Sequence, residues 1–234
     1  MTNKPNRLLL IRHGDDPPDD RVHTWAHRNG LHCDIRRPFD GDDLGEPDET
    51  LAGTVIYGGK YVVFETDDHP FLNEEYRWIG ACLDAGVPML GICQGAQMIA
   101  WHLGAWAGAP KALHHEFGYY EIKPAKGAQD FLPSSLHVAQ AHFHTFDLPE
   151  GAERLAGNAA YPNQAVRFRD NVYGFQFHAE QTIEGFRRWQ DADWAPYGTP
   201  GVQSREEQNR LMAQHDAAQA EWFYGFLDGL FGRD

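Results

Sequence analysis

Two stretches of this sequence carry residues whose types and spacing suit chemistry. The first is Pro88-Met89-Leu90-Gly91-Ile92-Cys93-Gln94-Gly95-Ala96-Gln97. An apolar run enters Gly-x-Cys-x-Gly and a helical pattern starts at once, which is the strand–turn–helix setting of a nucleophile elbow. Gly91 and Gly95 leave room where a sharp turn crowds the backbone. The turn presents the Cys93 sulfur to a substrate, and the following helix N-terminus favours its thiolate. The Gln94 N–H points to where an oxyanion would form. The second stretch, Val172 to Glu180, is strand-like and ends in His178-Ala179-Glu180. On an extended chain His178 and Glu180 face one side, so the carboxylate can bond one imidazole nitrogen and leave the other for the thiol. Phe175 and Phe177 then face the other way, into a core. Together the two stretches suit nucleophilic acyl transfer by thiolate, base and orienting acid. The competing reading of Cys93 is a small buried core residue between packing glycines. Cys33 and Cys82 fit that reading, Cys82 because it lies on the apolar stripe of a helix.

The elements that must position these residues alternate strand and helix. Leu8 to Ile11, ending at His13-Gly14, and Thr54 to Tyr57, ending at Gly58-Gly59, read as buried strands. Pro70 to Ala85 reads as a helix with Leu72, Tyr76, Ile79 and Leu83 on one stripe and Phe71, Trp78 and Cys82 beside it. Asp67 and Asp68 precede it and Gly86 ends it. Val87 to Ile92 is the next strand, and Gly95 to Leu103 the next helix, stopped by Gly104. This order predicts an α/β fold, an open mixed and largely parallel sheet with helices on both faces. Four short strands follow: Tyr119 to Lys123, Val138 to His142, Ala165 to Arg169 and Val172 to His178. Asp170-Asn171 forms a hairpin turn between the last two. Ser204 and Glu207 form a capping box for a C-terminal helix over about 204–231. No linker divides the chain, so residues 1–234 are expected to form a single domain.

Composition narrows the function classes. The 234 residues hold 20 Lys and Arg against 34 Asp and Glu, a net charge of −14, and no basic face for nucleic acid. The acid concentrates in 15–20 and 40–49, which read as solvated loops. Three cysteines make no disulfide framework. The Leu8 to Ile11 run is too short for a signal peptide or a membrane span, so the cytosol is the expected compartment. Thirteen histidines include His23 with His27, His114-His115 and His142 with His144, but no convergent ligand set, so neither metal nor cofactor is expected. Trp101, Trp106, Trp189 and Trp194 read as packing residues. Trp222, Phe223, Phe226, Leu227 and Phe231 give the last helix a broad apolar surface for the domain or a second subunit, which points to a homodimer.

An elbow cysteine fits three folds. One is a Cys version of the α/β-hydrolase fold, as in dienelactone hydrolase, with its acid between nucleophile and His. The second usually places His directly after the cysteine, where this chain has Gln94. The third ends in His-x-Glu, as this chain does. The chain resembles a class I glutamine amidotransferase, nearest the stand-alone members similar to the amidotransferase part of GMP synthase. The likeness runs from Leu8 to about Trp189. It rests on Gly58-Gly59, on Pro88 to Gln97 continuing to Ala100 and Leu103-Gly104, and on Glu116-Phe117-Gly118. It rests further on His142 with Asp147 to Ala152, and on Tyr173 to Glu180.

The resemblance implies a flavodoxin-like sheet and assigns roles residue by residue. Cys93 matches the nucleophile, His178 the base and acid, and Glu180 its orienting partner. The N–H groups of Gly59 and Gln94 match the oxyanion hole beside Gly58, and Gln97 matches a side chain holding the amino-acid end of the substrate. His142, Phe143 and His144 match the loop that contacts bound glutamine. The implied reaction releases glutamate and ammonia through a γ-glutamyl thioester, with glutamine or another γ-glutamyl small molecule as ligand. The chain departs from the family pattern in Lys60-Tyr61 after the glycines, in Phe143-His144 for Gly-Asp, and in Ala179 for Pro. No synthetase segment follows in the 234 residues. Two enzyme readings result: a glutaminase subunit feeding a separate synthase, or a γ-glutamyl amine or peptide hydrolase. Phe143 and His144 lean toward the second. A non-catalytic binding protein on the same fold is the third reading, and the intact triad argues against it.

Overall fold

The computed structural model describes residues 5–112, 114–132 and 134–232. The outermost residues of the expected 1–234 domain, 1–4 and 233–234, therefore lie outside the described residues. The parallel half runs β1 (Arg7–Ile11), α1 (Arg21–Arg28), β2 (His32–Arg36), β3 (Leu51–Ile56), α2 (Phe71–Ala85), β4 (Met89–Ile92) and α3 (Gln94–His102). The second half contains β5 (Ala107–Gly108), β6 (Glu116–Pro124), β7 (Leu136–His142), β8 (Thr145–Phe146), β9 (Glu153–Gly157), β10 (Ala165–Arg169) and β11 (Val172–Phe175). Two helices close the chain, α4 (Ile183–Gln190) and α5 (Arg205–Phe231). Nine strands form one sheet in the order β2-β1-β3-β4-β11-β10-β9-β6-β7. The first five are mutually parallel and the rest antiparallel, so the sheet is mixed as expected.

Alternation along the strands builds two cores. Leu8, Leu10, Val55 and Leu90 pack with Trp25 of α1 and Phe223 of α5 on one face. Leu9, Ile11, Ile56 and Met89 pack with Trp78 and Ile79 of α2 and Met98 of α3 on the other. β1, β3 and β4 are thus covered on both faces, which is why their sequences read as apolar runs, while the edge strand β2 is only partly buried. The Asp170-Asn171 hairpin is present, with Arg169 paired to Val172.

Several expectations need correction. Pro70 caps α2 without a side-chain bond, so Asp67 and Asp68 are not its caps. The buried stripe of α2 is Leu72, Glu75, Trp78, Ile79 and Cys82, rotated from the predicted one so that it includes a carboxylate. Ser204 accepts from the Glu207 N–H at 3.2 Å, but the Glu207 carboxylate turns to Arg210, so the capping box is half made. Phe223, Leu227 and Phe231 are buried, and Trp222 and Phe226 pack on the same core. The face behind the homodimer expectation is used within the chain. Among the described residues no helix is long and apolar enough to cross a membrane.

Close packing of α3 onto the sheet depends on Gly91 and, most tightly, on Gly95. A Cβ on Gly95 would sit 2.0 Å from the Ile56 carbonyl oxygen, which belongs to a paired strand and cannot retreat. Gly95→Ala is expected to destabilise the fold by about 3 kcal/mol, checked by urea unfolding.

Candidate active site

The carboxyl ends of the parallel strands meet at one cavity of about 480 Å³, the position where open α/β sheets bind ligands. β4 delivers Cys93 to it directly. Cys93 has φ 51° and ψ −108° and is the one non-glycine residue with positive φ among those described. Such a backbone costs about 1–3 kcal/mol and persists where the surroundings enforce it. The enforcement is visible: the Cys93 N–H donates to the Phe175 carbonyl at 2.6 Å, and the Cys93 carbonyl accepts from Gln97 N–H at 3.1 Å. Gln94 opens α3, so its N–H is among those a helix leaves without an internal acceptor.

β11 stops at Phe175, and residues 176–180 form an irregular turn rather than the strand end expected. His178 and Glu180 therefore meet through a turn, not through strand alternation. His178 Nδ1 lies 2.7 Å from Glu180 Oε1, and both side chains are buried. Phe175 and Phe177 stack at 4.9 Å in the core behind them. Burial pulls the His178 value down, but the Glu180 charge and the Cys93 side chain outweigh it and raise it to about 10. Gly58 completes the contact: a Cβ there would lie 2.9 Å from His178 Cε1 and 3.2 Å from Cys93 Cβ. Only a bare glycine lets this backbone approach both groups.

The turn bearing His178 is clamped by Arg21. The Arg21 N–H donates to the Glu180 carbonyl at 2.8 Å, and its guanidinium donates to the Ala179 carbonyl at 3.1 Å and to the Gln181 carbonyl. Asp216 of α5 accepts from the same guanidinium at 2.8 and 2.7 Å. The C-terminal helix thereby steadies a turn in which Ala179 supplies no ring of its own. Asp216→Ala leaves a buried cation unpaired and is expected to cost about 3 kcal/mol of stability. It should also lower turnover more than a surface variant of equal stability; denaturant unfolding and initial rates at 25 °C check both.

The expected binding residues divide. Gly58, Gly59, Cys93, His142, Phe143, His178 and Glu180 line the cavity. Gln97 and His144 are not among its lining residues. The buried Gln97 amide donates to Gln176 Oε1 at 3.1 Å, and the His144 carbonyl faces His142 Nδ1 at 2.9 Å. His142 has no ring nitrogen to spare, since its Nε2 lies 3.1 Å from Glu116 Oε2. The Gln94 side chain also points away from the cavity, accepting from the Tyr61 N–H at 2.9 Å.

Sequence reasoning missed other parts of the wall. Arg12 pairs with Asp20, and Tyr57 donates to Asp20 at 3.0 Å. Phe117, Trp189 and Trp194 form an aromatic side with Phe143; Trp189 meets the His178 ring edge-on at 4.8 Å, and Trp194 is 56% exposed. The signal for Arg12 and His13 was their place at the carboxyl end of an apolar strand. Among the described residues no three His, Cys, Asp or Glu side chains converge to hold a metal.

The family model for class I glutamine amidotransferase matches residues 30–188. The chain belongs to that family. As a class I amidotransferase it is an enzyme of the amide-hydrolysing kind, and its solved relatives share the fold described above. A glutamine amidotransferase from Thermotoga maritima is 26% identical with a TM-score of 0.87, covering 99% of this chain and 100% of that one. A GMP synthase subunit from Thermoplasma acidophilum, described as putative, is 26% identical with a TM-score of 0.60 over 79% of this amidotransferase and 90% of that chain. The glutamine-hydrolysing GMP synthase of Phaeosphaeria nodorum is 32% identical over 141 residues, 57% of this chain and 25% of that protein. This amidotransferase thus spans about a quarter of the length of the curated relatives it matches.

Proposed function

We propose that the chain hydrolyses the side-chain amide of glutamine with Cys93, His178 and Glu180. The observation that carries this reading is the strained Cys93 elbow, facing a buried His178–Glu180 pair across Gly58. Cys93 thiolate attacks the amide carbon, and the C–S bond forms as the oxyanion develops toward the N–H groups of Gly59 and Gln94. Each donor contributes about 3 kcal/mol in the transition state. The His178 imidazolium protonates the departing nitrogen as the C–N bond breaks, leaving a γ-glutamyl thioester and ammonia. Water then gives its proton to His178 and adds to the thioester carbon; glutamate leaves and the thiolate returns. On this reading the ammonia serves a separate synthase, as the resemblance to a GMP synthase subunit suggests.

The aromatic side of the cavity favours a second reading. Phe117, Phe143, Trp189 and Trp194 offer apolar surface that ammonia cannot use. The same triad would then release a substituted amine from a γ-glutamyl amide. Incubation with glutamine and a panel of γ-glutamyl amides, with ammonia, amine and glutamate followed separately, decides between them. Glutamine turnover that rises with a synthase supports the first reading, and higher kcat/KM for an apolar amide supports the second. No glutamate from any of them contradicts both.

A further inference from the structure

A second buried histidine–carboxylate pair, apart from Cys93 and His178, runs from the cavity wall at His13 back to Glu75. His13 follows β1 and Glu75 sits on the buried stripe of α2, with both side chains fully enclosed. His13 Nε2 lies 2.9 and 3.2 Å from the two Glu75 oxygens, and Nδ1 lies 3.3 Å from the Gly58 carbonyl oxygen. Both ring nitrogens therefore face acceptors. A neutral ring with its hydrogen on Nε2 would set a lone pair against the Gly58 carbonyl. The arrangements without that repulsion, imidazolium with carboxylate or neutral ring with carboxylic acid, both place a hydrogen on Nδ1. Burial lowers the His13 value, but the Glu75 charge and hydrogen bonds more than offset it, so the value is raised.

The Gly58 carbonyl and the Gly59 N–H belong to one peptide unit. No cis bond occurs among the described residues, so the two groups point in opposite directions. A donor gripping the carbonyl from behind turns the N–H forward, to the side where Gly58 meets Cys93 and His178. Two consecutive glycines would otherwise let this peptide flip at small cost. The loop is wedged from behind as well: a Cβ on Gly59 would lie 2.6 Å from both His13 Cβ and Gln94 Oε1.

We propose that His13, anchored by Glu75, is the positioning residue that aims the Gly59 N–H at the reacting carbonyl oxygen. This rests on the hydrolytic reading above. It assigns a purpose to a buried ionisable pair that contributes little net stability in a folded protein.

The test uses the full chain with His13→Leu and His13→Asn, each alone and combined with Glu75→Gln so that no buried carboxylate is left unpaired. Leu and Asn are close in size, but only Asn can donate to the Gly58 carbonyl. His13→Leu is expected to lower kcat about a hundredfold, the effect of losing one oxyanion donor, with KM within about twofold. His13→Asn recovers most of that loss. Alkylation of Cys93 by iodoacetamide, which needs no oxyanion donor, proceeds at the wild-type rate in both. Equal loss in Leu and Asn variants, a kcat unchanged in both, or a parallel fall in alkylation overturns the positioning role while wild-type hydrolysis stands. A wild type that releases no glutamate from any γ-glutamyl amide overturns the hydrolytic reading, and the positioning role with it.

Discussion

Replacing Cys93 by Ser is expected to reduce amide hydrolysis at least about ten-thousandfold without unfolding the protein. Among nucleophile–base sites, loss of the nucleophile leaves only the contribution of binding and oxyanion donors. A serine hydroxyl is close in size to the thiol, so the elbow can keep φ 51° and its 2.6 Å bond to Phe175. The hydroxyl, however, is too weakly acidic to donate its proton to His178 in the ground state, whereas a thiol beside an imidazole readily becomes thiolate. Initial rates and a thermal melt of the same preparation check the two halves of the expectation. Residual activity above about one per cent in a well-folded Cys93→Ser protein contradicts the nucleophile assignment.

The second large effect belongs to Glu180. Its Oε1 holds His178 Nδ1 at 2.7 Å, so the other ring nitrogen is left for sulfur and leaving group. Glu180→Gln keeps the shape but removes the charge that stabilises imidazolium, and its amide can present N–H to Nδ1 and force the wrong tautomer. A fall in kcat of about a thousandfold or more is expected. The pH profile gives the sign. His178 is raised to about 10, so wild type keeps its imidazolium acid through neutral pH and loses activity only as pH approaches that value. In Glu180→Gln the basic limb moves down toward the ordinary histidine range. Stability follows the same linkage. A folded value above the unfolded one adds stability that is complete below about pH 6.5 and is lost as pH rises toward 10. The variant should lose that slope. A basic limb that does not move contradicts the orienting role and reopens the alternative with an acid between Cys93 and His178.

Local pattern made β1, β3, α2, β4, α3 and the elbow legible, but not α1 or the edge strand β2, whose His-Cys-Asp-Ile-Arg has no apolar run. Apolar runs fully covered on two faces have no alternation, and Gly91-Ile92-Cys93-Gln94-Gly95 states its turn in its own spacing. The His178–Glu180 pair was also readable, though for a reason the structure changes: a clamped turn brings the residues together after β11 has ended. Long-range partners were not readable. Glu75 and His13 are 62 positions apart, and Arg21 and Asp216 are 195 apart, so neither spacing carries a signal. A trace of Glu75 existed, since it sits three residues after Leu72 and four before Ile79 on the buried stripe of α2. A carboxylate in that place must find a partner. Gln97 holds the place the elbow motif gives it, and its amide nitrogen donates to Gln176, a partner 79 positions away that no local spacing signals. The acidic stretch 15–20, which reads as a solvated loop, supplies Asp16, Asp19 and Asp20 to the cavity wall, where Arg12 pairs with Asp20 and Arg188 with Asp19.

The central claim is that Cys93 carries the acyl group. An α-diazo ketone analogue of glutamine, which alkylates only a thiolate held where the amide carbon binds, tests it most directly. The protein is treated with one equivalent, digested, and mapped by mass spectrometry, with residual hydrolysis measured in parallel. One label on Cys93, slowed by added glutamine or γ-glutamyl amide and matched mole for mole by lost activity, is the expected result. Label on Cys33 or Cys82 instead, or full hydrolysis by protein alkylated at Cys93, would contradict it.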